Sequence, residues 1–326
     1  MVEGHGDDIY KYANIRMNFS SNIYSHADTS ELENHLITLL PTIHSYPEPA
    51  QKTLEGMIAD LMDILPTQVM VTSGATDAIW LIAQTFRNLL SYKVFNPTFS
   101  EYEDASLTFG LKESDDAAIC WLCNPNNPTG EVVDKERVEW LAKNHKLLVV
   151  DQSYEDYTLM PVLSVKDALK YGNVIQIRSM TKRYGIPGLR VGFITAPESI
   201  IDYLRTQYRP WAVNALAIEA GKWLVNKNVM IVKDLHIYLA EALRLNRELN
   251  NIHGVKAMQT KTNFMLCTIC GHTAYELKEF LAEKKGMLIR DASNFKGLTP
   301  HHFRISTQSK DENDDLIDAI KDFMLS

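Results

Sequence analysis

The sequence predicts an α/β protein: a three-layer αβα large domain with a mostly parallel sheet, followed by a small α+β domain. From residue 69 onward, short apolar runs alternate with stretches of helical periodicity, which is the pattern of βαβ units. Polar residues follow several of these runs directly. After about Trp211 the pattern changes to one long helix and then to short strands and helices. With 326 residues, the chain is long enough for a large domain and a smaller one.

The N-terminal and central elements can be taken in order. Residues 1–30 are predicted to form an extended arm that packs with the small domain, and residues 31–215 the large domain. Helices are predicted at 31–40, capped by Thr29 or Ser30, and at 50–61. The apolar runs predict strands at 69–72, 93–95, 117–122, 147–151, 174–178 and 191–196. The intervening periodic segments predict helices at 78–90, 135–144 and 165–171.

Residues 216–326 are predicted to form the small domain, which begins with a long connecting helix at 229–249. The segment 256–269 is expected to hold strands. The remaining predicted elements are a helix at 274–284, strands at 287–289 and 302–306, and a final amphipathic helix at 316–325.

Composition excludes several classes of protein. The formal net charge of -8 argues against nucleic acid as the main partner, because phosphate backbones are bound by basic faces. No run of 18 apolar residues occurs, so no membrane span is expected. The N-terminus lacks the basic and apolar regions of a signal peptide, so a cytoplasmic location is expected.

The four cysteines form two C-x-x-C pairs, Cys120/Cys123 and Cys267/Cys270, a pattern that can mean zinc. Both pairs lie in strand-like runs, where residues three apart point to opposite faces. We therefore interpret these cysteines as small buried residues and expect no metal site.

The stretch from Ser179 to Gly192 carries the main chemical signal. Lys182 lies among small and polar residues, and Arg190 follows eight positions later. A lysine can form a Schiff base with a carbonyl cofactor, while Arg190 and the Ser179 hydroxyl suit a phosphate. Together they favour pyridoxal phosphate, which is both an aldehyde and a phosphate ester. The alternative is a surface loop with ordinary basic residues.

Further polar residues stand at predicted strand ends, where open α/β sheets bind ligands. The segment Ser73–Thr76 leads into a helix whose N-terminal amides can bind a phosphate, although many helices begin this way. Asn127 lies in a proline-flanked turn. Asp151 ends an apolar strand and suits a protonated pyridine nitrogen, unless it is only a helix N-cap. Tyr154, three residues on, can donate to the phenolic oxygen of the cofactor.

In their order along the chain, these motifs resemble those of the aminotransferase class I/II family of fold-type I pyridoxal-phosphate enzymes. The resemblance implies that Lys182 binds the cofactor covalently and that Asp151 pairs with its pyridine nitrogen. It also implies ring contacts by Asn127, Tyr154 and Phe99. The residues implied to hold the phosphate are Ala75, Thr76, Ser179 and Arg190.

The resemblance also implies a homodimer with shared active sites, because the family tyrosine that matches Tyr46 typically reaches the phosphate in the neighbouring subunit. Two subfamilies fit best, the threonine-phosphate decarboxylases and the histidinol-phosphate aminotransferases. In both, the arginine that matches Arg304 holds the substrate carboxylate or its counterpart, and the one that matches Arg290 faces the substrate phosphate. His5 and Asn22, in arm motifs shared with the decarboxylases, are further candidates for substrate binding.

One arm motif departs from the decarboxylase pattern. The decarboxylases usually read His-Gly-Gly-Asn, whereas this chain has Asp7 and Asp8 after His5-Gly6. Acidic side chains beside a phosphate pocket would be repulsive unless they turned away.

These observations lead to the hypothesis of a pyridoxal-phosphate enzyme that acts on a small phosphorylated amino acid or amino alcohol. A role like that of L-threonine O-3-phosphate decarboxylase is favoured, and histidinol-phosphate or other amino-acid transamination is the alternative. A non-catalytic binding protein that keeps the fold is a third possibility. The motifs do not decide between decarboxylation and transamination, since both reactions use the same lysine and aspartate.

Overall fold

The computed structural model of the chain describes residues 6–227, 232 and 234–325. The helices of the described residues are α1 (Ser30–Thr38), α2 (Lys52–Met62), α3 (Gly74–Thr85), α4 (Glu101–Thr108), α5 (Lys135–Asn144), α6 (Val165–Leu169), α7 (Met180–Tyr184), α8 (Glu198–Arg205), α9 (Ala215–Lys227), α10 (Leu235–Asn250), α11 (Ala274–Phe280) and α12 (Lys310–Leu325). The strands are β1 (Met17–Asn18), β2 (Val69–Thr72), β3 (Ser91–Lys93), β4 (Lys112–Glu113), β5 (Ile119–Cys123), β6 (Leu147–Asp151), β7 (Val174–Ser179), β8 (Gly192–Thr195), β9 (Val255–Ala257), β10 (Phe264–Ile269), β11 (Met287–Leu288), β12 (Arg290–Asp291) and β13 (His302–Ser306).

A seven-stranded sheet with the order β2-β8-β7-β6-β5-β3-β4 forms the centre of the protein. Neighbouring strands are parallel except at β8, which runs antiparallel to both β2 and β7. The short connection between β7 and β8 explains this exception, because parallel neighbours need a longer crossover. The prediction of a mostly parallel sheet is confirmed.

Side chains of the central strands alternate between two apolar cores, one on each face of the sheet. On β6, Leu147 and Val149 pack on the face that carries α3, α4 and α8. Leu148 and Val150 pack on the opposite face with α5 and α6. Helices therefore cover both faces, as expected for a sheet whose strands are apolar throughout.

The cysteine interpretation is confirmed for β5 and is wrong at one position. Cys120 and Cys123 pack into the cores on opposite faces of the sheet. Cys267 is also buried, but Cys270 is exposed because β10 ends at Ile269. Within the described residues, no group of three or more His, Cys, Asp or Glu side chains could hold a metal ion.

The C-terminal part has its own antiparallel sheet, in the order β12-β13-β10-β9, which packs with α10, α11 and α12 around a separate core. The N-terminal arm is attached to this part, because β1 pairs in parallel with β11. The proposed division of the chain at residues 30 and 215 remains a prediction.

Several helices were not predicted from the sequence. They are α4, α7, α8 and α9. The buried residues of α4 include Tyr102, Ala105 and Ser106, and they form no clear apolar stripe opposite the acidic residues. The helix therefore depends on packing against the sheet and not on an amphipathic pattern that the sequence would show. The helix predicted at 229–249 begins at Leu235, and most of the preceding positions lie outside the described residues. The last helix begins at Lys310, six residues before its predicted start. The apolar pattern did not reveal this first part because it is polar and acidic.

None of the helices described between residues 6 and 325 is long and apolar enough to cross a membrane.

Candidate active site

A cavity of about 340 Å³ lies where the strands of the central sheet end, between this sheet and the C-terminal part. Most of the predicted site residues line it, namely Ala75, Thr76, Phe99, Asn127, Asp151, Tyr154, Ser179, Lys182, Arg190, Arg290 and Arg304. These positions are far apart in the sequence. They meet because β2, β5, β6 and β7 direct their carboxyl ends to the same edge of the sheet.

Lys182 lies on α7, the short helix that follows β7. Its amine donates a hydrogen bond of 2.9 Å to the carbonyl oxygen of Ser21 in the arm. Burial, together with the positive charges of Arg304 and Arg190, lowers the pKa of Lys182 to about 8. An amine with this pKa is available as a neutral nucleophile near physiological pH.

Three consecutive residues after Tyr154 bind the segment that carries Lys182. Glu155 forms a partly buried ion pair with Arg178, with an N–O distance of 2.6 Å. Asp156 pairs with Arg183 at 3.2 Å. The Tyr157 hydroxyl donates to the carbonyl oxygen of Lys182 itself, at 2.9 Å. The turn that bears Tyr154 and the helix that bears Lys182 are thus joined into one unit.

Asp151 is buried at the end of β6 and accepts three hydrogen bonds. The backbone N–H and the hydroxyl of Ser153 donate to Oδ1 at 2.9 and 2.6 Å. The Tyr102 hydroxyl donates to Oδ2 at 2.8 Å. Burial raises the pKa of Asp151, whereas the donors from Ser153 and Tyr102 act in the opposite direction. The carboxylate is therefore held in one orientation, with an edge toward the cavity.

Tyr102 and Ser153 are site residues that the sequence analysis missed. Tyr102 stacks on Trp121 at a centroid distance of 5.5 Å and meets Phe99 edge to face. Because α4 was not predicted, nothing in the sequence placed Tyr102 beside Asp151. Ser153 could have been found, since a serine two residues after an aspartate commonly donates to it in a turn.

The N-terminus of α3 forms an anion cradle together with Arg190. Gly74 has φ of +83°, and a Cβ there would lie 2.8 Å from a guanidinium nitrogen of Arg190. A Cβ on Gly192 would lie 3.1 Å from the backbone nitrogen of Ala75. Because neither glycine has a Cβ, the guanidinium can approach Gly74 and the start of α3 can approach Gly192 this closely. This geometry suits a phosphate held by backbone N–H groups at a helix N-terminus.

Arg290 and Arg304 are direct neighbours on the antiparallel strands β12 and β13. Arg304 is buried and donates to Oδ1 of Asn127 and to the carbonyl oxygen of Ser20. Its Nε is also buried and meets no hydrogen-bond acceptor among the described residues. Burial and the charge of Arg290 lower the pKa of Arg304 to about 10. Two like charges at opposite positions are unfavourable unless an anion lies between them.

The other predicted site residues lie elsewhere. Asn22 is fully buried, lies next to Tyr154 and is not among the residues that line the cavity. Tyr46 is 85% exposed and lies next to Trp211, outside the cavity. His5 lies outside the described residues.

Comparison with known proteins gives the family. The family model described as aminotransferase class I and II matches residues 106–320 of the chain. The chain belongs to the aminotransferase class I and II family. It is an enzyme of this family, its cofactor is pyridoxal 5'-phosphate, and the fold is that of the fold-type I enzymes.

Relatives within the family carry two different names. The solved L-threonine-O-3-phosphate decarboxylase of Porphyromonas gingivalis is 34% identical, with a TM-score of 0.92 over 95% of this chain and 100% of that one. A protein of Caldanaerobacter subterraneus with the provisional name threonine-phosphate decarboxylase is 30% identical over 97% of this chain and 93% of its own length. The histidinol-phosphate aminotransferase of Thermoanaerobacter pseudethanolicus is 29% identical, over 87% of this chain and 85% of its own.

The cavity of this class I and II enzyme fits pyridoxal phosphate on structural grounds. It contains an amine of lowered pKa on Lys182, a buried carboxylate on Asp151 and the anion cradle at α3. These groups match the aldehyde, the pyridine nitrogen and the phosphate of the cofactor.

Proposed function

We propose that this enzyme acts on a small phosphorylated amino acid, as a decarboxylase of the threonine-phosphate type. The observation that carries the proposal is the pair Arg290 and Arg304, side by side on neighbouring strands and facing the cavity that contains Lys182. The names of the 34% and 30% identical relatives support the same substrate class.

The two arginines suit two anionic groups on one small molecule. A guanidinium binds a carboxylate or a phosphate through parallel hydrogen bonds. Arg304 lies beside Asn127 and retains a buried Nε–H to donate, so we assign it the substrate carboxylate. Arg290 donates to Oδ1 of Asn294 at 2.7 Å, and both residues line the cavity; we assign Arg290 the substrate phosphate.

The cofactor supplies an electron sink for the bonding pair released at the substrate Cα. We assign to Asp151 the stabilisation of a proton on the pyridine nitrogen, because its buried carboxylate is fixed by Tyr102 and Ser153. Lys182 attaches the cofactor and, once released, can move a proton at Nζ. The arm residue Ser21 covers this amine and helps to exclude water from it.

The remaining cavity residues are assigned to the cofactor by their position. Phe99 would stack on the ring, and Asn127 and Tyr154 would donate to its phenolic oxygen. The groups assigned to the phosphate are Ala75, Thr76, Ser179 and Arg190. Asn22 is assigned a supporting contact to Tyr154, and His5 remains a predicted substrate ligand.

We further infer a homodimer in which Tyr46 completes the site of the partner subunit. Tyr46 is too far from its own cavity to line it and is almost fully exposed. Large apolar side chains are also exposed along the same segment, including Ile37, Leu40 and Ile43. Such a row on a folded protein favours a contact surface. A cytoplasmic location remains a prediction.

Histidinol-phosphate transamination is the second candidate, supported by the 29% identical relative. The decisive experiment incubates the purified holoenzyme with threonine phosphate alone, and with histidinol phosphate plus 2-oxoglutarate. Release of CO2 from the first would support decarboxylation, and glutamate from the second would support transamination. Lys182→Ala serves as the inactive control. Turnover of unphosphorylated threonine in preference to its phosphate would contradict the assignment of Arg290.

A further inference from the structure

The two acidic residues of the arm have different surroundings. Asp8 is buried and is not among the residues that line the cavity, and its carboxylate pairs with Lys278 at 2.6 Å. A second cation, Lys11, lies 3.6 Å from the same carboxylate. The charge of Asp8 is therefore largely compensated by these two lysines, one in the arm and one in the C-terminal part, although it also acts to raise the pKa of Arg290.

Asp7, by contrast, lines the cavity. Its backbone has φ of 66°, in the left-handed region that few residues other than glycine, asparagine and aspartate adopt. Asn18 donates to its Oδ1 at 2.6 Å, and its own N–H donates to the Ser20 hydroxyl at 3.2 Å. These contacts hold the residue in place, and no cation of the described residues pairs with its carboxylate.

The neighbouring Gly6 brings this part of the arm against both arginines. A Cβ on Gly6 would lie 3.3 Å from Cδ of Arg290 and 3.4 Å from a terminal nitrogen of Arg304. The charge of Asp7 also reaches Lys182, whose pKa it raises against the larger effect of burial. Asp7 therefore places a negative charge in the same cavity that Lys182, Arg290 and Arg304 line.

We propose that Asp7 is a specificity-determining residue that favours substrates whose terminal anionic group carries one negative charge over those that carry two. The inference rests on the proposed function, in which Arg290 binds a substrate phosphate. Repulsion by Asp7 offsets part of the attraction exerted by Arg290 and Arg304. Because repulsion grows with the charge of the ligand, Asp7 acts more strongly against a dianion than against a monoanion.

A phosphate and a sulfate ester of the same molecule test this inference, since they share a shape and differ in charge at pH 8. The phosphate ester is a dianion there, because its second pKa is about 6, whereas the sulfate ester is a monoanion. The O-phosphate and O-sulfate of 3-hydroxybutyrate keep the carboxylate and lack the reactive amine. Their dissociation constants are measured by calorimetric titration into the holoenzyme.

Asp7→Asn is the informative variant, because asparagine keeps the acceptor for Asn18 and tolerates the same backbone conformation. We expect its affinity to rise roughly threefold for the sulfate and roughly tenfold for the phosphate, as the second charge doubles the repulsion. Asp7→Gly should give the same change in ratio, since glycine also adopts a positive φ. Asp115→Asn, which removes an equal charge from an exposed pair with Lys93, is the matched control and should change neither affinity.

An unchanged ratio of the two dissociation constants in Asp7→Asn, with both esters binding, would reject the role of Asp7 and leave the proposed substrate class intact. If neither ester bound to the original enzyme or to the variant, the phosphorylated-substrate proposal would fail, and the inference on Asp7 would fail with it.

Discussion

The Tyr102 hydroxyl donates a hydrogen bond of 2.8 Å to Oδ2 of Asp151 across the buried side of the cavity. This contact links α4, which the sequence did not predict, to the carboxylate that the sequence singled out. Both side chains are buried in the wall of the cavity, so little water reaches the bond and the carboxylate has little freedom to turn.

The first prediction concerns this carboxylate. Asp151→Asn should leave the cofactor bound but slow turnover by orders of magnitude, because a neutral pyridine is a poor electron sink. Tyr102→Phe should lower kcat roughly tenfold or more, since it removes one charged hydrogen bond. Cofactor absorbance and steady-state kinetics measure both effects. Tyr92→Phe, which removes another buried tyrosine hydroxyl that does not line the cavity, is the control. Unchanged turnover in Asp151→Asn would mean that another group protonates the ring.

The second prediction concerns Lys182. Lys182→Ala should abolish covalent attachment of the cofactor and nearly all turnover, as read by borohydride trapping and by activity. Because burial lowers the pKa of Lys182 to about 8, the neutral amine accumulates as pH rises through 8. The rate at which apoprotein is trapped with pyridoxal phosphate and borohydride should therefore rise with a midpoint near pH 8. A midpoint near the ordinary lysine value would show that the amine is not buried in solution.

The third prediction separates the roles of the two arginines. Arg290→Lys should reduce kcat/KM for a phosphorylated substrate much more than for its unphosphorylated analogue, by about 1.5–3 kcal/mol. Arg304→Lys should reduce both alike, because both substrates carry the carboxylate. The measurement is kcat/KM for each variant with each substrate. Equal losses on the two substrates in Arg290→Lys would remove it as the phosphate ligand.

The fourth prediction tests the shared site. If each cavity uses its own Lys182 and the partner's Tyr46, then Tyr46→Ala and Lys182→Ala should each lose activity at limiting cofactor. Mixing the two variants should restore about a quarter of the original activity, since half of the dimers then hold one intact site. A fully active monomer in light scattering, or no recovery after the subunits of the two variants have exchanged, would contradict this arrangement.

The fifth prediction concerns the arm. Asp8→Ala should lower the free energy of unfolding by about 3 kcal/mol, because it leaves the buried Lys278 without its partner. Replacing both residues, as in Asp8→Leu with Lys278→Met, should recover most of this loss. Denaturant unfolding of the single and double variants measures the difference. Equal stability of Asp8→Ala and the original protein would show that Lys278 reaches water or another acceptor.

The sequence by itself determined the fold class and most of the cavity. Alternating apolar runs predicted the strands of the central sheet, because a strand covered on both faces must be apolar throughout. The residues at the strand ends could then be named before any coordinates, since parallel strands place their carboxyl ends at the same edge. Lys182 and Asp151 were found in this way, from residue type and position, whereas Arg304 was named only through the resemblance to the family.

Only the tertiary structure decided the contacts that act across the chain. The bond between Tyr102 and Asp151 joins residues 49 positions apart and depends on a helix that is stabilised by burial. Asp7 lines the cavity, whereas Asp8 pairs with Lys278. This difference depends on how the arm docks onto the C-terminal part. Neighbouring residues with the same side chain carry no pattern that distinguishes them. Their environments differ because packing between distant segments, and not local propensity, determines which charge finds a partner.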